Sequence, residues 1–217
     1  MGWSEDMTDG GGTRTDVLRA SPPMFESRLL DALSRVHPAV PVLIFLPAIA
    51  LMAAWSLSML SVPATAGLLI AGYATWTLFE YWLHRLVFHF EPTDGIGARL
   101  HWIIHGVHHD HPNDPMRLVM PPAVSVPLGA GVFGLMYLIA GHRYAPGLGA
   151  GFFAGYLVYD LMHYYLHHFA PHGRLGRMLR ERHMRHHFQD DTKGFGISAP
   201  YWDSVFRTSA RAKRSSQ

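Results

Sequence analysis

Cysteine is absent from the 217 residues of the chain. Disulfide bonds and thiolate ligands are therefore excluded, so any metal site must use histidine nitrogen or carboxylate oxygen. Charged residues are also scarce, at 16% of the chain, and several long apolar stretches contain almost none. The N-terminal residues lack the basic segment and apolar run of a signal peptide, and we expect residues 1–22 to form a disordered tail.

Four stretches are apolar and long enough to cross a bilayer, which takes about 20 residues in a helix. We predict these spans at about 39–60, 64–83, 118–140 and 145–166. Short connections, Ser61 to Pro63 and Gly141 to Tyr144, would join them as two hairpins. Because so little polar sequence remains to cover these stretches in water, the predicted fold class is all-α integral membrane, with four transmembrane helices.

Lysine and arginine concentrate outside the predicted spans. Residues 174–214 are the most basic part, with ten Lys and Arg against four Asp and Glu. The positive-inside rule then places the N-terminus, the segment between the second and third spans, and the C-terminus in the cytoplasm. A basic segment beside a membrane attracts anionic lipid headgroups, so we expect no nucleic-acid partner. The predicted membrane domain covers residues 23–208, and a basic C-terminal tail covers 209–217.

Histidine is unusually abundant, and ten of the 16 histidines lie in four short clusters beside the apolar stretches. Imidazole is the commonest protein ligand for transition metals, and ten imidazoles exceed what one ion can coordinate. We therefore predict a two-metal centre in a cytoplasmic helical cap above the spans. The predicted ligands are His84, His89, His105, His108, His109, His163, His167, His183, His186 and His187.

The spacing within each cluster indicates how the imidazoles converge. Histidines three or four residues apart share a helical face, so each such cluster can aim at one point or at two neighbouring points. His84 and His89 are five residues apart, which suits a single helical face poorly. That pair either spans the end of the second helix or serves two different metals.

Two carboxylates lie close to these clusters inside the predicted spans. Glu80 precedes His84 by four residues, and Asp160 precedes His163 by three. An ionisable residue within a span is costly unless it has a function, and a ligating histidine needs its second ring nitrogen held by a hydrogen-bond acceptor. We predict that Glu80 and Asp160 orient ligand histidines in this way.

The clusters and the residues around them resemble the fatty acid hydroxylase superfamily of histidine-rich, di-metal membrane enzymes, and most of all its fatty acid 2-hydroxylase branch. The resemblance covers about Met24 to Thr208. Arg207 departs from it, since we expect glycine at that position. Besides the histidine clusters, the matching motifs are Met24-Phe25-Glu26-Ser27, Arg117-Leu118-Val119-Met120-Pro121-Pro122, Asp160-Leu161-Met162-His163-Tyr164, Gly194-Phe195-Gly196-Ile197-Ser198 and Trp202-Asp203-Ser204-Val205-Phe206.

The resemblance implies that the ten cluster histidines are the metal ligands. It also implies insertion of one oxygen atom from dioxygen at the carbon next to an acyl carboxyl, in a free fatty acid, an acyl thioester or a ceramide-like amide. Two iron ions are expected because zinc has no redox chemistry, although an all-histidine site can hold zinc in isolated protein. Two electrons must come from outside. The chain leaves no room for a fused cytochrome b5 domain, so a separate cytochrome b5-type or ferredoxin-type donor is implied.

Other activities stay open at this point. A desaturase, a sterol oxidase or a carotenoid hydroxylase of the same histidine-rich type would share the ligands and differ in how the substrate is held. A non-catalytic metal-binding or transport protein is another class, but transporters place their ligands near the bilayer midplane, whereas these clusters lie at span ends. A structural zinc protein would need fewer ligands, with four closing each ion.

Overall fold

The computed structural model describes residues 13–210, and within that range the chain forms α-helices, two π-helical turns and no β-strand. The all-α prediction is therefore confirmed for this part of the chain. The π-helical turns are His84–Phe88 and Trp102–Gly106. The α-helices are α1 (Arg14–Arg19), α2 (Arg28–Leu33), α3 (Ala39–Met59), α4 (Val62–Leu83), α5 (Gly95–His101), α6 (Val107–Asp110), α7 (Pro122–His168), α8 (Arg174–Phe188) and α9 (Tyr201–Val205).

Three helical stretches have the length and apolar composition needed to cross a membrane. They are Ala39–Met59, Val62–Phe88 and Pro122–His168. The first two match the first two predicted spans. The other two predicted spans fall within one element, α7, which has 47 residues, except that residues 118–121 precede it. A straight helix of that length would extend roughly 70 Å, more than twice the thickness of a bilayer's hydrocarbon core.

Helix α7 folds back on itself at Gly141, which has non-helical backbone angles of φ 74° and ψ 168°. Glycine adopts positive φ without the steric penalty that other residues meet. The Phe153 ring lies 3.1 Å from where a Cβ on Gly129 would stand, and the Phe133 ring lies 2.8 Å from that position on Gly149. Both pairs are centred on Gly141, so residues 122–140 (the first arm) pack antiparallel against residues 142–168 (the second arm).

The second arm packs tightly against α4 through glycines at four-residue spacing. A Cβ on Gly147, Gly151 or Gly155 would lie within 3 Å of residues on α3 or α4. Small residues at this spacing let helix backbones approach closely, which is how helices associate in a membrane without a hydrophobic driving force. The pattern explains why this arm is so rich in glycine.

An aromatic cluster fills the space between the long helices. Phe45 on α3 and Trp76 on α4 both meet Tyr156 on the second arm, with ring centroids 4.8 Å and 5.4 Å away. Trp76 also contacts Phe152 edge-on at 5.1 Å. Such edge-to-face contacts add to the stabilisation from burial. The cluster fixes α3, α4 and the second arm relative to one another, and hence the histidines at the ends of α4 and of the second arm.

The N-terminal segment differs from the predicted tail. Residues 1–12 lie outside the described range, but α1 follows them and begins with a reciprocal capping box between Thr13 and Asp16. The His111 Nδ1 donates to the Val17 carbonyl at 2.7 Å, which attaches α1 to the body of the protein. The capping residues and this contact explain the local order. Of the predicted C-terminal tail, only residues 209 and 210 are described.

Candidate metal centre

The π-helical turn at the end of α4 brings together the two histidines whose spacing suits an α-helix poorly. The His89 backbone N–H donates to the His84 carbonyl at 3.1 Å, five residues back. This five-residue hydrogen bond defines a π-helical turn, which brings residues five apart closer to one face than an α-helix does. The Nε2 atoms of His84 and His89 stand 3.2 Å apart. Of the two alternatives left open by the sequence, the pair thus spans the end of the helix and converges.

Five histidines form the first group of converging nitrogens, with all five atoms within 4.8 Å of one another. The His108 Nε2 stands 2.9 Å from that of His163 and 3.0 Å from that of His187. The His183 Nε2 stands 2.7 Å from that of His167. The residues of this five-histidine group come from α6, α7 and α8.

Four histidines form the second group, again within 4.8 Å of one another, and they are His84, His89, His105 and His186. The Nε2 atoms of His89 and His186 are 3.1 Å apart. His109, the tenth predicted ligand, lies between the two groups. Its Nε2 is 3.1 Å from that of His105, and its ring centroid is 4.3 Å from that of His187.

Two of the four sequence clusters are divided between the two groups, while the His84/His89 pair and the His163/His167 pair each stay together. His105 joins the four-histidine group, while His108, three residues later, joins the five-histidine group. His186 and His187 are separated in the same way. The spacing left open whether the imidazoles aim at one point or at two, and the structure has them aim at two neighbouring points. All ten predicted ligands lie in or between the two groups. The other six histidines belong to neither group among the residues described.

The hydrogen bonds of two ring nitrogens show that lone pairs point into the four-histidine group. The Nδ1 of His84 lies 2.8 Å from the Phe195 carbonyl, and the Nδ1 of His186 lies 2.7 Å from the Lys193 carbonyl. A carbonyl only accepts, so each Nδ1 carries the hydrogen and each Nε2 presents a lone pair. Lone pairs that converge in a buried space repel unless a cation lies between them, so this donor set fits a metal ion.

The nitrogen separations can be compared with those of ligands that share one ion. Two ligand nitrogens about 2.1 Å from one ion stand roughly 3.0 Å apart at right angles and roughly 3.4 Å apart in a tetrahedron. The short Nε2 separations in the five-histidine group run from 2.7 to 3.2 Å. These separations are close to those of nitrogens that share one ion, so the residues of this group could hold a metal together.

Burial keeps the imidazoles neutral and able to bind metal. Seven of the ten are buried, and the other three are partly buried. Desolvation, reinforced by the charge that neighbouring histidines would carry, lowers the pKa of His89 to about 3 and that of His109 to about 2. The pKa of His108 and that of His183 lie well below the ordinary histidine value for the same reasons. These side chains therefore offer lone pairs at neutral pH without first losing a proton.

Glu80 and Asp160 are buried beside the centre, but the structure gives them other partners than the predicted histidines. Glu80 Oε1 accepts the backbone N–H groups of Ile197 and Ser198, both at 2.8 Å. Asp160 accepts the backbone N–H of Met120 at 3.3 Å. The spacing suggested a direct contact because each carboxylate lies one helical turn from a ligand, but both side chains turn towards loops instead.

An apolar crevice lies between the long helices, next to the histidine groups. Its cavity volume is about 30 Å³, and it is lined mainly by aromatic and aliphatic side chains. Leu83, which immediately precedes His84, lines one part of it, and Phe45, Gly129 and Phe153 line another. The lining is apolar, as in a pocket for an apolar ligand, but the volume is well below the roughly 300 Å³ of a drug-sized site, so a long ligand fits there only if the surrounding helices move apart.

These observations define a class of protein: a helical membrane protein whose long helices support a histidine-rich centre able to hold metal ions. The family profile described as fatty acid hydroxylase matches residues 69–208. The chain therefore belongs to the fatty acid hydroxylase family. Like the hydroxylases of this family, it is an oxidoreductase.

Individual relatives agree with this assignment. The chain is 39% identical over 200 residues to the dihydroceramide fatty acyl 2-hydroxylase FAH2 of Arabidopsis thaliana, covering 89% of this chain and 84% of that protein. It is 42% identical over 146 residues to the human fatty acid 2-hydroxylase, covering 65% and 39% of the two chains. The solved structure of full-length scs7p, with only its hydroxylase domain visible, matches with a TM-score of 0.80 and 34% identity, covering 84% of this chain and 70% of that one.

Proposed function

We propose that the protein is a membrane-bound, dioxygen-dependent di-iron hydroxylase that acts at C2 of a lipid acyl chain. The convergence of nine histidines into two groups, with His109 between them and an apolar crevice nearby, is the observation that carries this proposal. Relatives named as fatty acyl 2-hydroxylases, at 39% identity over most of the chain, support the position of attack.

Each histidine group would hold one ion. The five-histidine group offers His108, His163, His167, His183 and His187, and the four-histidine group offers His84, His89, His105 and His186, with His109 between them. When bound, iron would supply the redox chemistry needed to activate dioxygen and cleave a C–H bond, which zinc does not support. The protein's part is to bind the ions, orient the imidazoles and exclude bulk water.

The overall reaction joins one oxygen atom of dioxygen to the carbon next to the acyl carbonyl. A C–H bond breaks, a C–O bond forms, and the second oxygen atom leaves as water after taking up two electrons and two protons. The electrons come from a separate donor protein of the cytochrome b5 or ferredoxin type. The substrate is an acyl lipid: the Arabidopsis relative is named for dihydroceramide, which holds its acyl group in amide linkage, and the human relative is named for a fatty acid.

The apolar crevice is the proposed binding place for the acyl chain. An acyl chain is lipid-soluble, so it can enter from the bilayer between α3, α4 and the arms of α7. Because the chain leaves an apolar bilayer and not water, its transfer gives little hydrophobic free energy, and the shape of the crevice decides which chain length fits best. With the chain seated there, its carbonyl end would lie towards Leu83 and His84.

We propose that the protein crosses the membrane four times, with α3, α4 and the two arms of α7 as the spans. The metal centre and both termini then lie on the cytoplasmic side, where the basic residues concentrate. Support comes from the turn at Gly141, which divides α7 into two arms of 19 and 27 residues by their bounds at 122–140 and 142–168. Each arm alone is of a length that suits a bilayer.

The proposed activity is tested by producing the chain together with an electron donor and analysing hydrolysed lipids by mass spectrometry. We expect new 2-hydroxy acyl chains that disappear in the His108→Ala and His186→Ala variants, which remove one ligand from each group. His142→Ala serves as the matched control because His142 is exposed and next to the Gly141 turn.

The alternatives give other products. New double bonds would indicate a desaturase, and oxidised sterols or carotenoids would indicate those sister activities. Unchanged lipids, with an active donor and bound iron confirmed, would contradict catalysis and favour a metal-binding or transport role.

A further inference from the structure

The loop between α8 and α9 is held by two buried carboxylates that reach it from different elements. Asp203 on α9 accepts the backbone N–H of Phe195 at 2.9 Å and that of Gly196 at 3.0 Å. Glu80 on α4 accepts the next two backbone N–H groups, those of Ile197 and Ser198. Four consecutive N–H groups of a loop are thereby bound by two side chains.

The carbonyl groups of the same loop hold two histidines of the four-histidine group. The Lys193 carbonyl accepts from His186, and the Phe195 carbonyl accepts from His84. Gly194 between them has φ +81°, and its own N–H donates to the Thr208 carbonyl at 2.8 Å. That left-handed residue lets the carbonyls on both sides of it reach the two imidazoles.

Both carboxylates are almost completely removed from water, with 2% of each residue exposed. A buried carboxylate is costly unless hydrogen bonds compensate for its lost hydration. The loop N–H groups donate four of the compensating hydrogen bonds, and the Ser198 and Thr208 hydroxyls each donate one more. The carboxylates and the loop therefore depend on each other, and moving either one would move the two carbonyls.

The five-histidine group has no comparable support among the residues described. The Nδ1 atoms of His167, His183 and His187 are buried without a protein hydrogen-bond partner there. The loop contacts the four-histidine group instead. The two groups thus differ in how firmly the protein fixes their imidazoles.

We propose that Glu80 and Asp203 are positioning residues for the metal ion of the four-histidine group. By binding the loop at 195–198, they fix the carbonyls that set the orientation and protonation of His84 and His186. Their effect is selective, because it does not extend to the five-histidine group. This inference rests on the proposed metal centre and goes beyond it by assigning the two carboxylates to one of its two ions.

The test uses the Asp203→Asn and Glu80→Gln variants of the full chain, purified in detergent and loaded with iron(II). In Asp203→Asn, the new amide group opposes the N–H of Gly196, so one hydrogen bond is lost with little change in size. Ser204→Ala is the matched control, since Ser204 follows Asp203 on α9 but is exposed, and this change should leave both iron sites as they are in the unaltered chain. Iron is counted by mass spectrometry, and the two iron environments are distinguished by Mössbauer spectroscopy.

We expect one of the two iron sites to bind about 10–100-fold more weakly in Asp203→Asn, and likewise though less strongly in Glu80→Gln, while the other site keeps its spectrum. The retained iron also shows that the variant is folded. If one variant does not fold, the other carries the test. Two unchanged sites, or parallel weakening of both in folded protein, would overturn the inference. Failure of the unaltered chain to bind iron would instead contradict the proposed function itself.

Discussion

The carbonyl oxygen of Leu69 on α4 lies 2.0 Å from the position that a Cβ on Gly151 would occupy. No side chain fits that gap, so the backbones of α4 and the second arm of α7 are in direct contact there. His84 directly follows the last residue of α4, and His163 and His167 lie in the last turns of the second arm. The close packing of these two elements therefore fixes the separation between the two histidine groups.

Gly151→Ala should separate α4 from the second arm and destabilise the protein. Overpacking of this kind costs about 1–3 kcal/mol, and the obstacle here is backbone, which cannot move aside as a flexible side chain would. Thermal unfolding of the variant in detergent is expected at a lower temperature. Gly134→Ala is the control, because nothing lies within 4 Å of a Cβ there. Equal melting temperatures for Gly151→Ala and the unaltered chain would contradict the close packing.

Arg207 adopts a left-handed backbone conformation, with φ 60°, which is rare outside glycine. The family resemblance predicts glycine at this position, and the backbone explains why. A non-glycine residue in this conformation costs about 1–2 kcal/mol, so Arg207→Gly should raise the free energy of unfolding by up to that amount. Chemical or thermal denaturation would measure the change.

Arg207→Ala separates the backbone effect from the loss of the side chain. It removes the guanidinium and keeps a Cβ, so the strained conformation remains. We expect no comparable stabilisation in this variant. If alanine stabilises as much as glycine does, the gain would come from removing the charge, and the account based on φ would be wrong.

The proposed acyl crevice predicts that chain-length preference can be altered from the first arm of α7. A Cβ on Gly129 would lie 3.1 Å from the Phe153 ring and 3.7 Å from the Phe45 ring, both of which line the crevice. Gly129→Leu should therefore shorten the preferred acyl chain by several carbons, read from the length distribution of 2-hydroxy products. Gly131→Leu, on the same arm but with open space around it, should leave that distribution unchanged. Identical distributions in both variants would place the acyl chain elsewhere.

Much of the helical framework could be predicted from hydropathy. The predicted spans at 39–60 and 64–83 agree closely with α3 and α4, because a long uncharged run has few alternatives to a helix in a membrane. The turn at Gly141 was expected as a four-residue loop, yet only Gly141 departs from helical angles. Hydropathy does not report backbone angles, and it does not show that Gly147, Gly151 and Gly155 face α4.

The histidines could be selected from the sequence, but their division between two groups could not. Helical spacing says which residues share a face, and it does not say where the face points after the chain turns. The π-helical turn at His84–Phe88 changes that direction, since it adds a residue to the turn. The hydrogen-bond partners of Glu80 could not be predicted from the sequence either, because Ile197 and Ser198 lie more than a hundred residues away along the chain.

The central claim is that this chain transfers one atom of dioxygen to C2 of an acyl chain. It is tested most directly with purified, iron-loaded protein, a reducing donor, an N-acyl lipid and ¹⁸O₂ gas. The account predicts a 2-hydroxy acyl product that carries one ¹⁸O atom at C2 and is missing when His108→Ala replaces the unaltered chain. A 2-hydroxy product without the label, or oxygen inserted at another carbon, would contradict it.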